Sequence, residues 1–138
     1  MITVDASVWI ALLDKADVFH VDTLVFMQQV ERRRLPIFAP DFAILEIGCA
    51  LARRQRDGAK GLGAATSVRN IPDLRLLETN AAFLVSSLRV GTECFLRGAE
   101  ALYAATAEQT ASQLITWDAE LAARASGITP TVWLAANS

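Results

Sequence analysis

Apolar and polar residues follow two different patterns along the chain. Short apolar runs of four or five residues predict β-strands, and longer segments with apolar residues at helical spacing predict α-helices. Strands are predicted at residues 2–5, 35–39, 74–77, 113–116 and 131–134, and helices at residues 7–13, 18–34, 40–56, 59–70, 80–90, 99–110 and 118–126. This alternation of strand and helix is typical of βαβ units around a parallel sheet.

The predicted fold class is therefore α/β. Right-handed crossovers place helices on both faces of a sheet, so we expect three layers, α/β/α, with a central, mainly parallel sheet of four to five short strands and about seven helices. No linker rich in proline, glycine or serine and no internal repeat divides residues 1–138. We therefore expect a single domain over that range, since one domain usually has roughly 100–200 residues.

Composition narrows the classes of function. Hydrophobic residues make up 53% of the chain and charged residues 20%, as in a globular protein. The net charge of −2 makes any nucleic-acid binding depend on a local patch. No apolar stretch approaches the roughly 18 residues of a membrane span. The acid at position 5, without a basic segment before it, argues against a secretory signal.

Cysteine and histidine usage adds two expectations. Cys49 and Cys94 are isolated, with no C-x-x-C motif, and this pattern predicts small buried residues in a reducing cytoplasm. The chain has one histidine, His20, which together with two separate cysteines leaves little room for a zinc site of the usual type.

Four acidic residues converge on one edge of the predicted sheet, the carboxyl edge, where ligands of parallel α/β sheets bind. Asp5 ends the first strand, Asp118 follows the fourth strand by two residues, and Glu46 lies about one turn into the helix after the second strand. Glu100 begins a helix that descends for about ten residues, roughly 15 Å. The fourth strand then climbs back about 16 Å, which returns Asp118 to the level of Glu100.

The surroundings of these acids favour a metal site, although helix capping explains Asp5 alone about as well. Glu46 lies in an apolar stretch, residues 42–50, that predicts a buried helix with no lysine or arginine nearby. A buried carboxylate is costly unless it is paired or binds a cation. Hard cations with oxygen ligands, Mg²⁺ or Mn²⁺, suit such a group, and they activate water for phosphodiester hydrolysis.

The chain resembles the PIN-domain ribonucleases, in particular the short toxins of the VapBC type. The resemblance covers nearly the whole chain and lies in ITVDAS (residues 2–7), Glu46, GAEALYAA (residues 98–105) and LITWD (residues 114–118). It implies a PIN-like fold and Mg²⁺-dependent endonucleolytic cleavage of RNA by the toxin of a toxin–antitoxin pair. It also implies a VapB-like antitoxin that blocks the site.

The resemblance assigns roles to individual residues. The acids that it implies as catalytic and metal-binding are Asp5, Glu46, Glu100 and Asp118, and the residues that it implies as positioning a carboxylate or a metal-bound water are Ser7 and Thr116. The third acid of the family is usually Asp. Glu100 is one methylene longer, so it either reaches the same ion from a slightly more distant helix or weakens the site.

Two residues beside the acids are candidates for RNA contact. Arg97 precedes Glu100 by three residues, and we expect it to contact phosphate. Trp117 lies beside Asp118, where it either stacks on a base or packs against the following helix. The apolar positions of residues 18–30 exceed one helical stripe, which indicates core packing, an antitoxin groove or the face of a homodimer, the oligomeric state that we expect.

Two other functions stay open at this point. A catalytically weak or inactive PIN-like scaffold would bind RNA or a partner without cutting, and Glu100 in place of Asp keeps this alternative open. A phosphatase with Asp5 as nucleophile needs a cation near the phosphate, whereas neither Lys15 nor Lys60 follows a late strand. Loss of binding without magnesium would separate the catalyst from the scaffold, and a stable aspartyl-phosphate would identify the phosphatase.

Overall fold

The structure, a computed structural model, describes residues 1–137 and contains five strands and seven α-helices. The strands are β1 (Ile2–Val4), β2 (Ile37–Pro40), β3 (Leu74–Leu77), β4 (Gln113–Thr116) and β5 (Thr131–Trp133). The helices are α1 (Ala6–Leu13), α2 (His20–Arg32), α3 (Phe42–Gln55), α4 (Gly58–Arg69), α5 (Ala81–Cys94), α6 (Gly98–Thr110) and α7 (Ala119–Ala125), and a 3₁₀-helix (Leu134–Asn137) follows β5. The predicted α/β class is confirmed.

The sheet is entirely parallel and has the strand order β3-β2-β1-β4-β5. Strand β1 is central because it pairs on both sides, Ile2 with Ile37 of β2 and with Gln113 of β4, and all three of its residues are buried. The chain builds outward from β1 through β2 to β3 and then returns to β4. The order reverses beside β1, so the carboxyl end of β1 is the switch point at which ligands bind in open α/β sheets.

Right-handed crossovers place α1 to α4 on one face of the sheet and α5 to α7 on the other. Helix α6 is buried along its middle, where Ala101 through Ala107 are buried without a break. It packs on β1, β2 and β4 and is covered by α5. The expectation of a buried helix at residues 42–50 is wrong: α3 packs on α1, α4 and β2, and Leu45 on its outer side is 61% exposed.

Several boundaries differ from the predicted ones for local reasons. Strand β2 begins at Ile37 because Pro36 has no N–H to donate. Helix α2 begins at His20, since the Asp17 side chain accepts a hydrogen bond from Phe19 N and holds a turn before the helix. Helix α5 continues to Cys94 and ends where Phe95 adopts the left-handed conformation, with φ of 58°.

Helices α3 and α4 approach each other backbone to backbone. A Cβ atom at Gly61 would lie 2.4 Å from the carbonyl oxygen of Gly48 and 2.6 Å from the Cβ of Ala52. Only glycine fits at such a contact. The close packing fixes α3, the helix that carries Glu46, against its neighbour.

Two sequence expectations on buried and apolar residues have a clear outcome. Cys94 is buried as expected, but Cys49 is exposed on α3, so the prediction that both cysteines are buried is wrong for Cys49. Within residues 1–137, no helix has both the length and the apolar character needed to cross a membrane.

Candidate active site

Asp5 is the buried centre of the carboxyl edge and directly follows β1. Its Oδ1 accepts hydrogen bonds from Ser7 Oγ at 2.6 Å and from Val8 N at 3.3 Å, and its Oδ2 accepts one from Thr116 Oγ1 at 2.7 Å. The bond from Val8 caps the N-terminus of α1. Asp5 is therefore a helix cap, as the capping alternative predicted, and it also lies at the point where the site is expected.

The charge of Asp5 is poorly compensated. Burial raises the pKa of Asp5 to about 6, against the lowering effect of its hydrogen bonds to Ser7, Thr116 and Val8, and the charge of Asp118 raises it further. In the described part of the chain, no lysine or arginine forms an ion pair with Asp5. A buried carboxylate without a cation is an unfavourable arrangement that binding of a cation would relieve.

Two hydroxyl groups connect Asp5 to the end of β4. Thr116 Oγ1 donates to Asp5 and accepts a hydrogen bond from the backbone N–H of Asp118 at 2.9 Å. Ser7 Oγ donates to Asp5 and accepts one from the backbone N–H of Trp117 at 3.1 Å. Ser7 and Thr116 thus both position the carboxylate of Asp5, and their hydrogen bonds connect the residues that follow β1 with those that follow β4.

Asp118 and Glu100 form the more exposed side of the edge. Asp118 caps α7, since its Oδ1 accepts hydrogen bonds from the backbone N–H groups of Glu120 and Leu121. Glu100 lies in the first turn of α6, and burial raises its pKa, opposed by Arg97 and reinforced by the charges of Asp118 and Glu120. Asp118 therefore acts electrostatically on both Asp5 and Glu100, as expected for acids at the same edge of the sheet.

Glu46 joins the same group through a tyrosine. The Tyr103 hydroxyl donates a hydrogen bond to Glu46 Oε1 at 2.7 Å. Burial raises the pKa of Tyr103, and the negative charges of Glu46 and of Asp5 raise it further. The charges of both acids thus act on the same phenol, so the structure places Glu46 at the same edge as Asp5.

The donor set fits a hard cation. All four acids supply carboxylate oxygens, the ligands that Mg²⁺ and Mn²⁺ prefer. Within the described range 1–137, no three histidine, cysteine or acidic side chains are grouped closely enough to bind one ion. Burial is the main cause that raises the pKa of Asp5 and of Glu100, and the charge of Asp118 adds a smaller contribution to both.

The two residues that the sequence nominated for RNA contact have different environments. Arg97 is 85% exposed, and its Nε lies 3.4 Å from Glu100 Oε1. Trp117 is buried: its ring stacks on Phe19 with centroids 4.2 Å apart, and its Nε1 donates to Thr23 Oγ1 at 2.7 Å. The structure therefore favours core packing over base stacking for Trp117, because one face of the ring is already covered.

Two residues of this edge were missed from the sequence. Tyr103 follows Glu100 by three residues and therefore lies on the same side of α6, a spacing that was available as a signal. Glu120 follows Asp118 by two residues, raises the pKa of Glu100 and pairs with Arg124 at 2.6 Å. Neither the Tyr103–Glu46 hydrogen bond nor the effect of Glu120 on Glu100 follows from composition. The first depends on how α6 packs against α3, and the second on how α6 lies relative to α7.

Comparison with known proteins identifies the family. The PIN domain family matches residues 2–127. The chain therefore belongs to the PIN-domain family, and the resemblance predicted from the sequence is confirmed. No curated protein matches the chain significantly.

Solved structures share this fold. VapC20 of Mycobacterium tuberculosis, a sarcin–ricin loop cleaving toxin, is 18% identical, with a TM-score of 0.75 over 94% of this chain and 97% of that chain. PAE2754 from Pyrobaculum aerophilum is 28% identical, with a TM-score of 0.67 over 98% of this chain and 95% of that one. VapBC2 from Rickettsia felis, bound to a DNA fragment from its promoter, is 11% identical, with a TM-score of 0.67 over 96% and 98%.

Proposed function

We propose that this protein is a Mg²⁺- or Mn²⁺-dependent endoribonuclease and the toxin of a toxin–antitoxin pair. The observation that carries the proposal is Asp5, a buried carboxylate with a pKa of about 6, electrostatically coupled to Asp118 and lacking a cationic partner among the described residues. Membership of the PIN-domain family and the fold shared with VapC20 support the same function.

The residues proposed to hold the cation are Asp5, Glu46, Glu100 and Asp118. When bound, Mg²⁺ or Mn²⁺ supplies an activated water and neutralises charge that develops on the phosphodiester. Ser7 and Thr116 hold both oxygens of Asp5 in place by hydrogen bonds. The exposed Arg97 guanidinium beside Glu100 is proposed to bind an RNA phosphate.

The positions of the two lysines argue against the phosphatase alternative. An aspartyl nucleophile would use a carboxylate oxygen of Asp5, and Oδ2 accepts a hydrogen bond from Thr116 and keeps a second lone pair, so hydrogen bonding does not decide against it. It also needs a cation beside the transferred phosphate. Lys15 lies beyond the far end of α1 from Asp5, and Lys60 lies in the first turn of α4, so neither position supplies that cation at the Asp5 end.

End-mapping of total RNA tests the proposed reaction. Purified wild-type protein is incubated with Mg²⁺ or Mn²⁺, with and without chelator, beside Asp5→Asn and the matched control Asp14→Asn, which alters a similarly buried acid at the other end of α1. We expect new ends at defined positions that disappear with chelator and in Asp5→Asn but persist in Asp14→Asn. Identical end profiles for wild type and Asp5→Asn would contradict the proposal and favour the scaffold alternative.

We also propose two protein partners, a VapB-like antitoxin and a second copy of this chain, and a cytoplasmic location. The support for the partners is two exposed apolar surfaces in separate layers of the fold. Around α2 the exposed side chains are Val18, Val21, Leu24 and Val25, and on α5 they are Leu84, Val85 and Leu88. Apolar patches of this kind mark protein interfaces.

Light scattering during gel filtration tests the second copy. We expect the mass of a dimer for the wild type and of a monomer for a variant that places charge on one of the two surfaces, either Val21→Asp or Leu88→Asp. A wild-type mass equal to the 14.9 kDa of one chain would contradict the homodimer.

A further inference from the structure

We propose that Tyr103 is a positioning residue that holds the Glu46 carboxylate at the Asp5 end of the site and so prepares Glu46 to bind the cation. The inference rests on the proposed function and goes beyond it, because it gives a role to a residue outside the four acids. Its starting point is the 2.7 Å hydrogen bond from the Tyr103 hydroxyl to Glu46 Oε1.

This hydrogen bond joins distant parts of the chain. Glu46 lies on α3 and Tyr103 on α6, 57 residues apart in sequence, and the two helices belong to opposite layers of the fold. Tyr103 is 2% exposed, whereas Glu46 is half-buried at the edge. The buried phenol of Tyr103 is therefore placed to hold the less buried carboxylate of Glu46.

The chemistry of the pair suits this role. An O–H···O⁻ bond of 2.7 Å is charge-assisted and stronger than a bond between neutral groups. Burial and the negative charges of Glu46 and Asp5 raise the pKa of Tyr103, so the phenol remains a neutral donor. The bond occupies Oε1 and leaves Oε2 of Glu46 as a ligand atom.

Every other acid of the site has its own holding group. Asp5 is held by the hydroxyls of Ser7 and Thr116, Asp118 by backbone N–H groups of α7, and Glu100 by Arg97. Glu46 lies on a helix whose neighbouring residues are apolar and offer it no donor. Tyr103 fills that gap, and groups that orient metal ligands in this way contribute strongly to metal affinity.

The position of Tyr103 also couples two of the acids. Tyr103 and Glu100 are three residues apart on α6 and lie on the same side of that helix. Any shift of α6 therefore moves the Glu100 carboxylate and the donor to Glu46 together. One helix thus sets the placement of both glutamates, the two longest and most adaptable side chains among the four acids.

The first experiment measures Mn²⁺ binding by calorimetry in wild type, Tyr103→Phe, Glu46→Gln and the double variant. Tyr103→Phe keeps the buried ring and removes only the hydroxyl, and we expect about a tenfold rise in the Mn²⁺ Kd. In the Glu46→Gln background the same change should have no further effect, because the carboxylate through which it acts is gone. Equal Kd values for wild type and Tyr103→Phe would overturn the proposal.

A matched control separates positioning from packing. Thr106→Val removes another fully buried hydroxyl from α6, one that donates to the backbone oxygen of Leu102 rather than to an acid. We expect Thr106→Val to leave the Mn²⁺ Kd unchanged. A tenfold loss in this control as well would show that any disturbance of α6 weakens binding, and the assignment to Tyr103 would be wrong.

The second experiment needs no metal. Tyr103 is the one tyrosine of the 138-residue chain, so the tyrosine doublet in ultraviolet resonance Raman spectra reports on its hydroxyl alone. We expect the doublet to change in metal-free Glu46→Gln, and an unchanged doublet would contradict the hydrogen bond itself. Wild type that binds no Mn²⁺ but shows the expected Raman change would instead refute the proposed metal-dependent function and keep the Tyr103–Glu46 contact.

Discussion

Helix α1 has an aspartate at each end, and the pKa values of these two acids are shifted in opposite directions. Asp5 precedes the helix and is 5% exposed, and Asp14 follows it and is 8% exposed. Arg54 at the end of α3 lies 3.0 Å from Asp14 and also 3.0 Å from Asp17. Hydrogen bonding to Arg54 lowers the pKa of Asp14, whereas burial raises the pKa of Asp5 to about 6.

The difference is the reverse of what helix electrostatics alone dictates. An acid is stabilised at a helix N-terminus and destabilised at a C-terminus, yet Asp14 at the C-terminus has the lowered pKa. The fold therefore neutralises a buried acid where only stability is concerned. At the carboxyl edge it leaves Asp5 without an arginine or lysine partner among the described residues, which is the pattern of functional sites.

The largest expected effect is on cleavage. Asp5→Asn keeps the shape of the side chain but removes its charge, and we expect at least an approximately 100-fold loss of RNA cleavage, since even groups that only orient metal ligands contribute 10–100-fold. Asp14→Asn is expected to cleave at the wild-type rate per folded molecule. Initial rates on one mapped RNA substrate measure both variants, and equal losses in the two would break the comparison.

The second expectation concerns stability in metal-free buffer, where the two substitutions should change the free energy of unfolding in opposite directions. Asp5→Asn removes a desolvated charge, and we expect the free energy of unfolding at pH 7 to rise by about 1–3 kcal/mol, since one pKa unit corresponds to 1.4 kcal/mol. Asp14→Asn weakens the contact with Arg54 and should lower the free energy of unfolding by about 1–2 kcal/mol. Urea unfolding with EDTA measures both, and stabilisation of Asp14→Asn would contradict this account.

The third expectation is a pH dependence. The folded-state pKa of Asp14 is lowered, so the stability that it gains from Arg54 is present above its ordinary pKa of 3.8 and is lost as the pH falls through the lower folded-state value. Arg54→Met should therefore be less stable than wild type at pH 6, and the difference should shrink toward pH 3. Parallel urea titrations at both pH values test this, with Arg33→Met as the control, because Arg33 is exposed and no ion pair involves it among the described residues.

The smallest effect is expected at Arg97. If this exposed guanidinium binds one RNA phosphate, Arg97→Met should raise KM about fivefold at constant kcat and reduce the salt dependence of binding by about one charge. Arg33→Met again serves as the control, because it removes the same charge at the opposite end. Equal changes in the two variants would reveal a general effect of charge rather than a contact at the acid edge.

The strands, the helices and the edge with the four acids could be predicted from the sequence. Each strand and helix follows from a local pattern, and their lengths and order determine which residues lie at the carboxyl edge of a parallel sheet. Strand and helix lengths alone placed Asp118 level with Glu100, and in the structure the charge of Asp118 contributes to the raised pKa of Glu100.

The hydrogen-bond partners of Glu46 and Asp14 could not be predicted in the same way. Tyr103 bonds to Glu46 across 57 residues, and Arg54 bonds to Asp14 across 40. Such contacts depend on how helices lean against each other, which hydrophobic periodicity does not specify. The surroundings of Glu46 were misjudged for a related reason: an apolar helix segment is buried only where another layer covers it, and α3 has an open side at Leu45.

The central place of β1 also governs the order in which the site can form during synthesis. Asp5 leaves the ribosome well before Thr116, which holds it and lies 111 residues later, and β1 pairs with β4 along its whole length. A nascent chain that has not yet released residues 113–118 has neither the second edge of its central strand nor Asp118. The acid edge is thus assembled only after β4 has joined the sheet, and every shorter translation intermediate has an incomplete site.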